Sequence, residues 1–130
     1  MDQLMSTNRQ KKRLTDVELE MMNIIWRIGP CTVNQIIESL PKGRDLAYTT
    51  VSTMIRILEQ KQFVESFKVG RGHSYQALVE KKDYQSISID DVVTNVFDGA
   101  ASLLVKQLLT SDSLTEDDLS EIRKLLEERP

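Results

Sequence analysis

Two short motifs fix where helices begin in this chain and which of their faces is apolar. Thr15-Asp-Val-Glu18 and Thr32-Val-Asn-Gln35 both have the form of a capping box. In such a box the threonine accepts from the amide three residues on, and the Glu or Gln reaches back to the threonine's own amide. Leu14 and Leu19 flank the first box, and Cys31 and Ile36 the second, at hydrophobic-staple positions. After the first box Val17, Met21, Ile24, Ile25 and Ile28 keep helical period, while Leu19, Met22 and Trp26 add a second apolar row. That helix is expected to be covered on two sides and to end at Gly29-Pro30. Val33, Ile36, Ile37 and Leu40 form the buried stripe of the second helix, and Pro41 to Asp45 reads as a turn.

A third helix is predicted from about Ala47 to Gln60. Val51, Met54, Ile55 and Leu58 give it one apolar face. Its other face holds Tyr48, Thr49, Ser52, Thr53 and Arg56, where a surface helix would ordinarily carry Glu and Lys. Hydroxyls and an arginine suit phosphates and base edges in a DNA major groove. The periodicity then changes. Phe63 to Phe67 and Ser74 to Leu78 read as short strands around a basic hairpin tip, Lys68-Val-Gly-Arg-Gly-His73. Three helices followed by a hairpin make the fold class mainly α with a small β-hairpin: a winged helix-turn-helix DNA-binding domain. A C-terminal helical dimerisation region is expected to follow it.

Charge distribution agrees with that order. The net charge of −3 divides into +4 over residues 1–82 and −7 over residues 83–130. With 40% apolar and 28% charged residues, the 130-residue chain has the composition of one soluble domain, or a small domain with an oligomerisation element. No apolar run approaches the roughly 20 residues that span a bilayer, and Met1 to Arg13 is basic and lacks the apolar core of a signal peptide. A single cysteine, Cys31, excludes an internal disulfide and a multi-cysteine zinc site. The simplest location is the cytoplasm. No glycine-rich phosphate loop, metal-ligand cluster or spaced nucleophile–base pair points to an enzyme, a cofactor or a metal.

The domains are expected at 1–13, a flexible basic arm; 14–82, the winged helix; and 83–130, the helical dimerisation region. Short helices are predicted over residues 90–97, 101–109 and 115–128. Leu103, Leu104, Val105, Leu108 and Leu109 wrap more than one face of the middle one, and Leu119, Ile122, Leu125 and Leu126 line the last. Three short helices cannot bury that surface alone, whereas two copies can. Leu103, Leu104, Leu108, Leu109, Leu119, Ile122 and Leu126 are therefore the dimerisation candidates. The alternative is that these helices fold back on Leu19, Met22 and Trp26. A two-fold dimer would set its recognition helices about 34 Å apart, one DNA turn.

Leu14-Thr-Asp-Val-Glu-Leu-Glu-Met-Met-Asn-Ile-Ile-Trp26, Thr32-Val-Asn-Gln-Ile-Ile37, Ala47 to Leu58 and Gly72-His-Ser-Tyr-Gln-Ala77 together resemble the penicillinase-repressor family, the BlaI/MecI/CopY type of bacterial regulators. Weaker similarity continues through Phe97-Asp-Gly-Ala and the apolar helix after it. The resemblance implies a homodimeric transcriptional repressor that binds a palindromic operator in double-stranded DNA and blocks transcription. Copper-responsive members carry a C-terminal Cys-x-Cys motif, and no cysteine follows Cys31 here. β-Lactam-responsive members are cleaved at an Asn-Phe bond. The equivalent position falls near Gln107-Leu108, which does not match, so a regulatory protease is a partner these residues do not support.

The candidate DNA-binding residues are Tyr48, Thr49, Thr50, Ser52, Thr53 and Arg56 in the third helix, with Lys68, Arg71 and His73 in the wing. Thr50 sits by phase at the edge of the buried face. Tyr48 either packs on the sugar-phosphate backbone or shields the helix start. Arg9, Lys11, Lys12 and Arg13 either touch DNA or solubilise the N-terminus. Cys31 reads as a small buried hydrophobe, with a redox sensor as the alternative. A winged-helix protein–protein interaction module without DNA binding is the competing function.

Overall fold

The computed structural model describes residues 13–130, so Arg9, Lys11 and Lys12 of the expected basic arm lie outside the described residues. Helix α1 spans Asp16–Ile28, α2 Val33–Glu38 and α3 Tyr48–Gln60. Strands β1, Val64–Val69, and β2, Gly72–Ala77, follow. Helices α4, Lys81–Asn95, α5, Ala101–Thr110, and α6, Glu116–Glu128, complete the order. The chain divides into two compact units between Ile87 and Ser88, within the continuous helix α4.

Both predicted capping boxes form. Thr15 and Thr32 accept from the amides of Glu18 and Gln35, whose side chains accept in return from the threonine amides. The core of the first unit brings together Met21, Met22, Ile24 and Ile25 of α1 with Val33 and Ile36 of α2. Val51, Ile55 and Leu58 of α3, and Cys31, Phe63 and Val64, complete it. Helix α3 ends in a Schellman motif: the Phe63 amide donates to the Leu58 carbonyl at 2.9 Å and the Gln62 amide to the Glu59 carbonyl at 3.0 Å. Leu58 and Phe63 provide the apolar contact that accompanies such a motif, and both are fully buried.

The second apolar row of α1 is covered from within the first unit. Trp26 Nε1 donates to the Val79 carbonyl at 2.8 Å, and the Tyr84 ring lies 5.9 Å from Trp26 and 5.8 Å from Phe63, centroid to centroid. Those spacings are normal for tilted and edge-on aromatic pairs. Tyr84 sits in α4, whose start at Lys81 corrects the expected helix over 90–97. Its first turns are nearly all polar, so apolar period gives little sign of them. Asp98 and Gly99 have positive φ, 52° and 84°, and close off the helix.

The hairpin also departs from expectation. Val69 pairs with Gly72 and Lys68 with His73, so the loop contains only Gly70 and Arg71. Gly70, at φ 62°, supplies the positive φ that a type II′ turn needs at its first central residue. A two-residue turn lets the ladder run out to its end, and Lys68 and His73 therefore belong to the strands. Cys31 extends the sheet by a single bridge: its amide and carbonyl bond Tyr75 at 3.0 and 2.8 Å.

Candidate nucleic-acid interface

Helix α3 presents its predicted polar face. Thr49, Thr50, Thr53 and Arg56 are exposed, Ser52 is half-buried and Tyr48 is 54% exposed. Thr50 therefore lies clear of the buried stripe. No carboxylate occurs from Leu46 to Leu58, so the face carries only hydroxyls and the Arg56 cation. The Thr53 hydroxyl donates to the Thr49 carbonyl at 2.8 Å. Its proton is thus committed within the helix, leaving its lone pairs to accept from a base amino group. The helix starts at Ala47, which has no side-chain capping bond, and its first turn contains no acid.

The hairpin register decides which wing residues accompany that face. Side chains alternate along a strand, so Ser66 and Lys68 share a face with their partners Tyr75 and His73. Ser66 Oγ donates to Glu59 Oε2 at 2.7 Å, which turns this face toward α3. Lys68 and His73 continue the same row beyond the helix, and both are exposed. Arg71 occupies the exposed turn, next to Val69, which is 58% exposed. Burial pushes the Tyr75 phenol up, as do the fields of Glu59 and Tyr48, while Arg56 pulls it down. The phenol therefore keeps its proton at neutral pH. Cys31, also raised by burial, stays a thiol and packs as the small hydrophobe its position predicts.

Helix α1 anchors α3 on both sides. Glu18, almost wholly buried, accepts from Lys61 Nζ at 2.7 Å, just past the end of α3. Burial raises its carboxyl pKa, but the Lys61 and Thr15 hydrogen bonds and the Lys61 charge outweigh this and hold it below the usual 4.5. Glu20 takes Arg44 Nε at 2.8 Å and Nη2 at 3.0 Å, in the loop before α3. Neither pair is legible in the sequence, since ion partners 43 and 24 residues apart leave no local pattern.

Comparison with known proteins agrees with this geometry. Residues 14–128 match the penicillinase repressor family. The chain belongs to that family. It is similar to the methicillin resistance regulatory protein MecI of Mammaliicoccus sciuri, with 29% identity over 116 residues, 89% of this chain and 94% of MecI. It is also similar to the penicillinase repressor of Bacillus licheniformis, with 27% identity over 116 residues, 89% of this chain and 91% of that one. In fold alone it resembles an ArsR-like transcriptional regulator from Rhodococcus sp. RHA1, with a TM-score of 0.52, 15% identity and coverage of 85% and 98% of the two chains. The family is one of transcriptional repressors, and the mainly helical fold with its antiparallel hairpin is the predicted winged-helix class.

The apolar residues of the back half are left open in this family member. No residue of α4, α5 or α6 is fully buried. Leu103, Leu108, Leu109 and Leu126 are exposed, Leu126 at 66%, and Leu104, Leu119 and Ile122 are half-buried. Gln107 and Leu108 are both exposed within α5, so the bond between them lies inside a regular helix. Among the described residues no group of three or more His, Cys, Asp or Glu could hold a metal ion, and no helix is long and apolar enough to cross a membrane.

Proposed function

We propose that this chain is a sequence-specific repressor that binds a palindromic operator as a homodimer and blocks transcription, in the cytoplasm and without catalysis. The observation that carries the reading is the carboxylate-free exposed face of α3 beside the Lys68–His73 row. Thr49, Thr50, Ser52, Thr53 and Arg56 enter the major groove and read base edges, with Arg56 suited to a guanine. Tyr48 packs on the backbone at the helix start, and Lys68, Arg71 and His73 hold phosphates or line the adjacent minor groove. Residues 1–13 form the basic arm and 14–82 the DNA-binding domain. Residues 83–130 form the dimerisation region, in which Leu103, Leu104, Leu108, Leu109, Leu119, Ile122 and Leu126 cover their partners in a second copy.

Selection of duplexes from a random pool, followed by gel-shift titration across salt concentrations, tests the reading. The expected outcome is a palindromic site whose affinity falls steeply as salt rises. Arg56→Ala should cost about 1–3 kcal/mol and relax preference at one position of each half-site, whereas Lys68→Ala should weaken all duplexes equally. Binding of both variants at wild-type strength would overturn these contacts. An absence of salt-dependent affinity for any duplex would favour a protein–protein interaction module instead.

A further inference from the structure

Helices α1, α2 and α6 begin at capping boxes, but α3 begins at Ala47, which offers its first turn no side-chain bond. Its entrance is held from outside. Pro41 to Arg44 form a turn closed by the Arg44 amide on the Pro41 carbonyl at 2.9 Å, with Gly43 at φ 87° in the third place, as a type II turn requires. The turn delivers Arg44 to Glu20 of α1, where both carboxylate oxygens take guanidinium protons. Arg27, two turns further along α1, donates to the Ser39 carbonyl at the end of α2, at 3.1 Å. Leu46, between Arg44 and the helix, packs on the core.

We propose that Glu20 and Arg44 are a positioning pair for α3: they fix where the helix begins and so control discrimination among DNA sequences, without Arg44 touching DNA. This rests on the DNA-binding reading above. A pair so exposed, with side chains 43% and 27% accessible, contributes little to stability. Its paired charges also offer a phosphate little net attraction. Its effect lies in geometry. Thr49, Ser52 and Thr53 have short side chains, and hydrogen bonds from them to base edges tolerate displacements of only about 0.5 Å. Attraction of Lys68 and Arg71 to phosphate is long-ranged and far more forgiving. A loosened entrance therefore loses base reading and keeps backbone binding.

The test measures full-length chains on a palindromic duplex selected by the wild type and on a scrambled duplex of the same composition. Arg44→Ala and Glu20→Ala should each lower the ratio of the two affinities roughly tenfold. Scrambled-duplex affinity and the salt slope should stay unchanged. The double variant should be no worse than either single one, and the exchanged pair Glu20→Arg with Arg44→Glu should recover most of the ratio. Equal weakening on both duplexes with a salt slope lower by about one would make Arg44 a phosphate contact and overturn the proposal. Wild-type ratios in every variant would also overturn it, as would additive single effects. A wild type that prefers no duplex overturns the DNA reading itself, and the pair's role with it.

Discussion

The two compact units of this chain solve the same packing problem in opposite ways. In the first, three helices, a hairpin and the aromatic group of Trp26, Phe63 and Tyr84 close around residues such as Met22, Ile36 and Ile55, which have no exposed surface. In the second, α5 and α6 carry comparable apolar side chains, yet Val105, Leu109 and Leu125 each remain about half exposed. Leaving so much apolar area in water forgoes about 25 cal/mol for each Å² that could be covered. The first unit thus completes its core with its own chain, while the second leaves its apolar side chains open.

The sharpest way to break this contrast is to separate the units. Residues 1–87 alone should keep a cooperative melt and remain monomeric, while residues 88–130 alone should be helical only as they self-associate and lose helix on dilution, as checked by circular dichroism and sedimentation. Removing the second unit should also weaken operator binding about 10²–10⁴-fold, because two linked recognition helices gain from effective concentration. A folded monomer of 88–130 would end the comparison. Within the full chain, Leu108→Asp should weaken the proposed dimer by several kcal/mol, since burying a lone carboxylate in an apolar interface is costly. The first unit's melting should barely move. A sedimentation coefficient unchanged from the wild type would remove Leu108 from the interface.

Legibility from sequence follows the same division. The starts of α1 and α2 are readable because caps are local chemistry, and the buried stripe of α3 because its period is strict. The true start of α4 is not, since Lys81, Lys82, Asp83 and Gln85 give no amphipathic signal and Tyr84 finds its partners 58 and 21 residues away. The wing was legible as a hairpin, but its register was set by a two-residue turn that composition alone did not single out. The sequence alone marks Glu18 as a helix cap; its second role, as the buried partner of Lys61, depends on tertiary structure.

That second role gives the next largest effect. Glu18→Gln keeps an acceptor for the Thr15 amide but loses the ion pair, and should destabilise the first unit by about 2 kcal/mol at neutral pH, the size of a hydrogen bond to a charged group. The carboxyl pKa in the folded chain lies below its usual 4.5, so the pair's contribution is full above that value. It fades as pH falls from there through the lower folded value. Denaturant melts of wild type and variant should therefore differ by a constant amount near neutrality and converge in acid. A gap that persists at pH 2 would mean that the difference does not come from the charge of Glu18.

A smaller effect, of opposite sign, is expected where α3 ends. Gln62 holds φ at 66°, in the left-handed region that a side chain disfavours, because the Schellman turn must send Phe63 back into the core. Gln62 is itself exposed, so its side chain contributes little packing that a substitution would lose. Replacing it with glycine relieves the backbone but enlarges the freedom of the unfolded chain, and the two terms partly cancel. The net expectation for Gln62→Gly is a gain of about 0.5 kcal/mol. It should appear as a raised denaturant midpoint with an unchanged slope, and the dissociation constant of the proposed dimer should stay the same. A loss of stability would show that Gln62 holds the end of α3 through its side chain, and that the first unit's core closes less independently than the contrast with α5 and α6 implies.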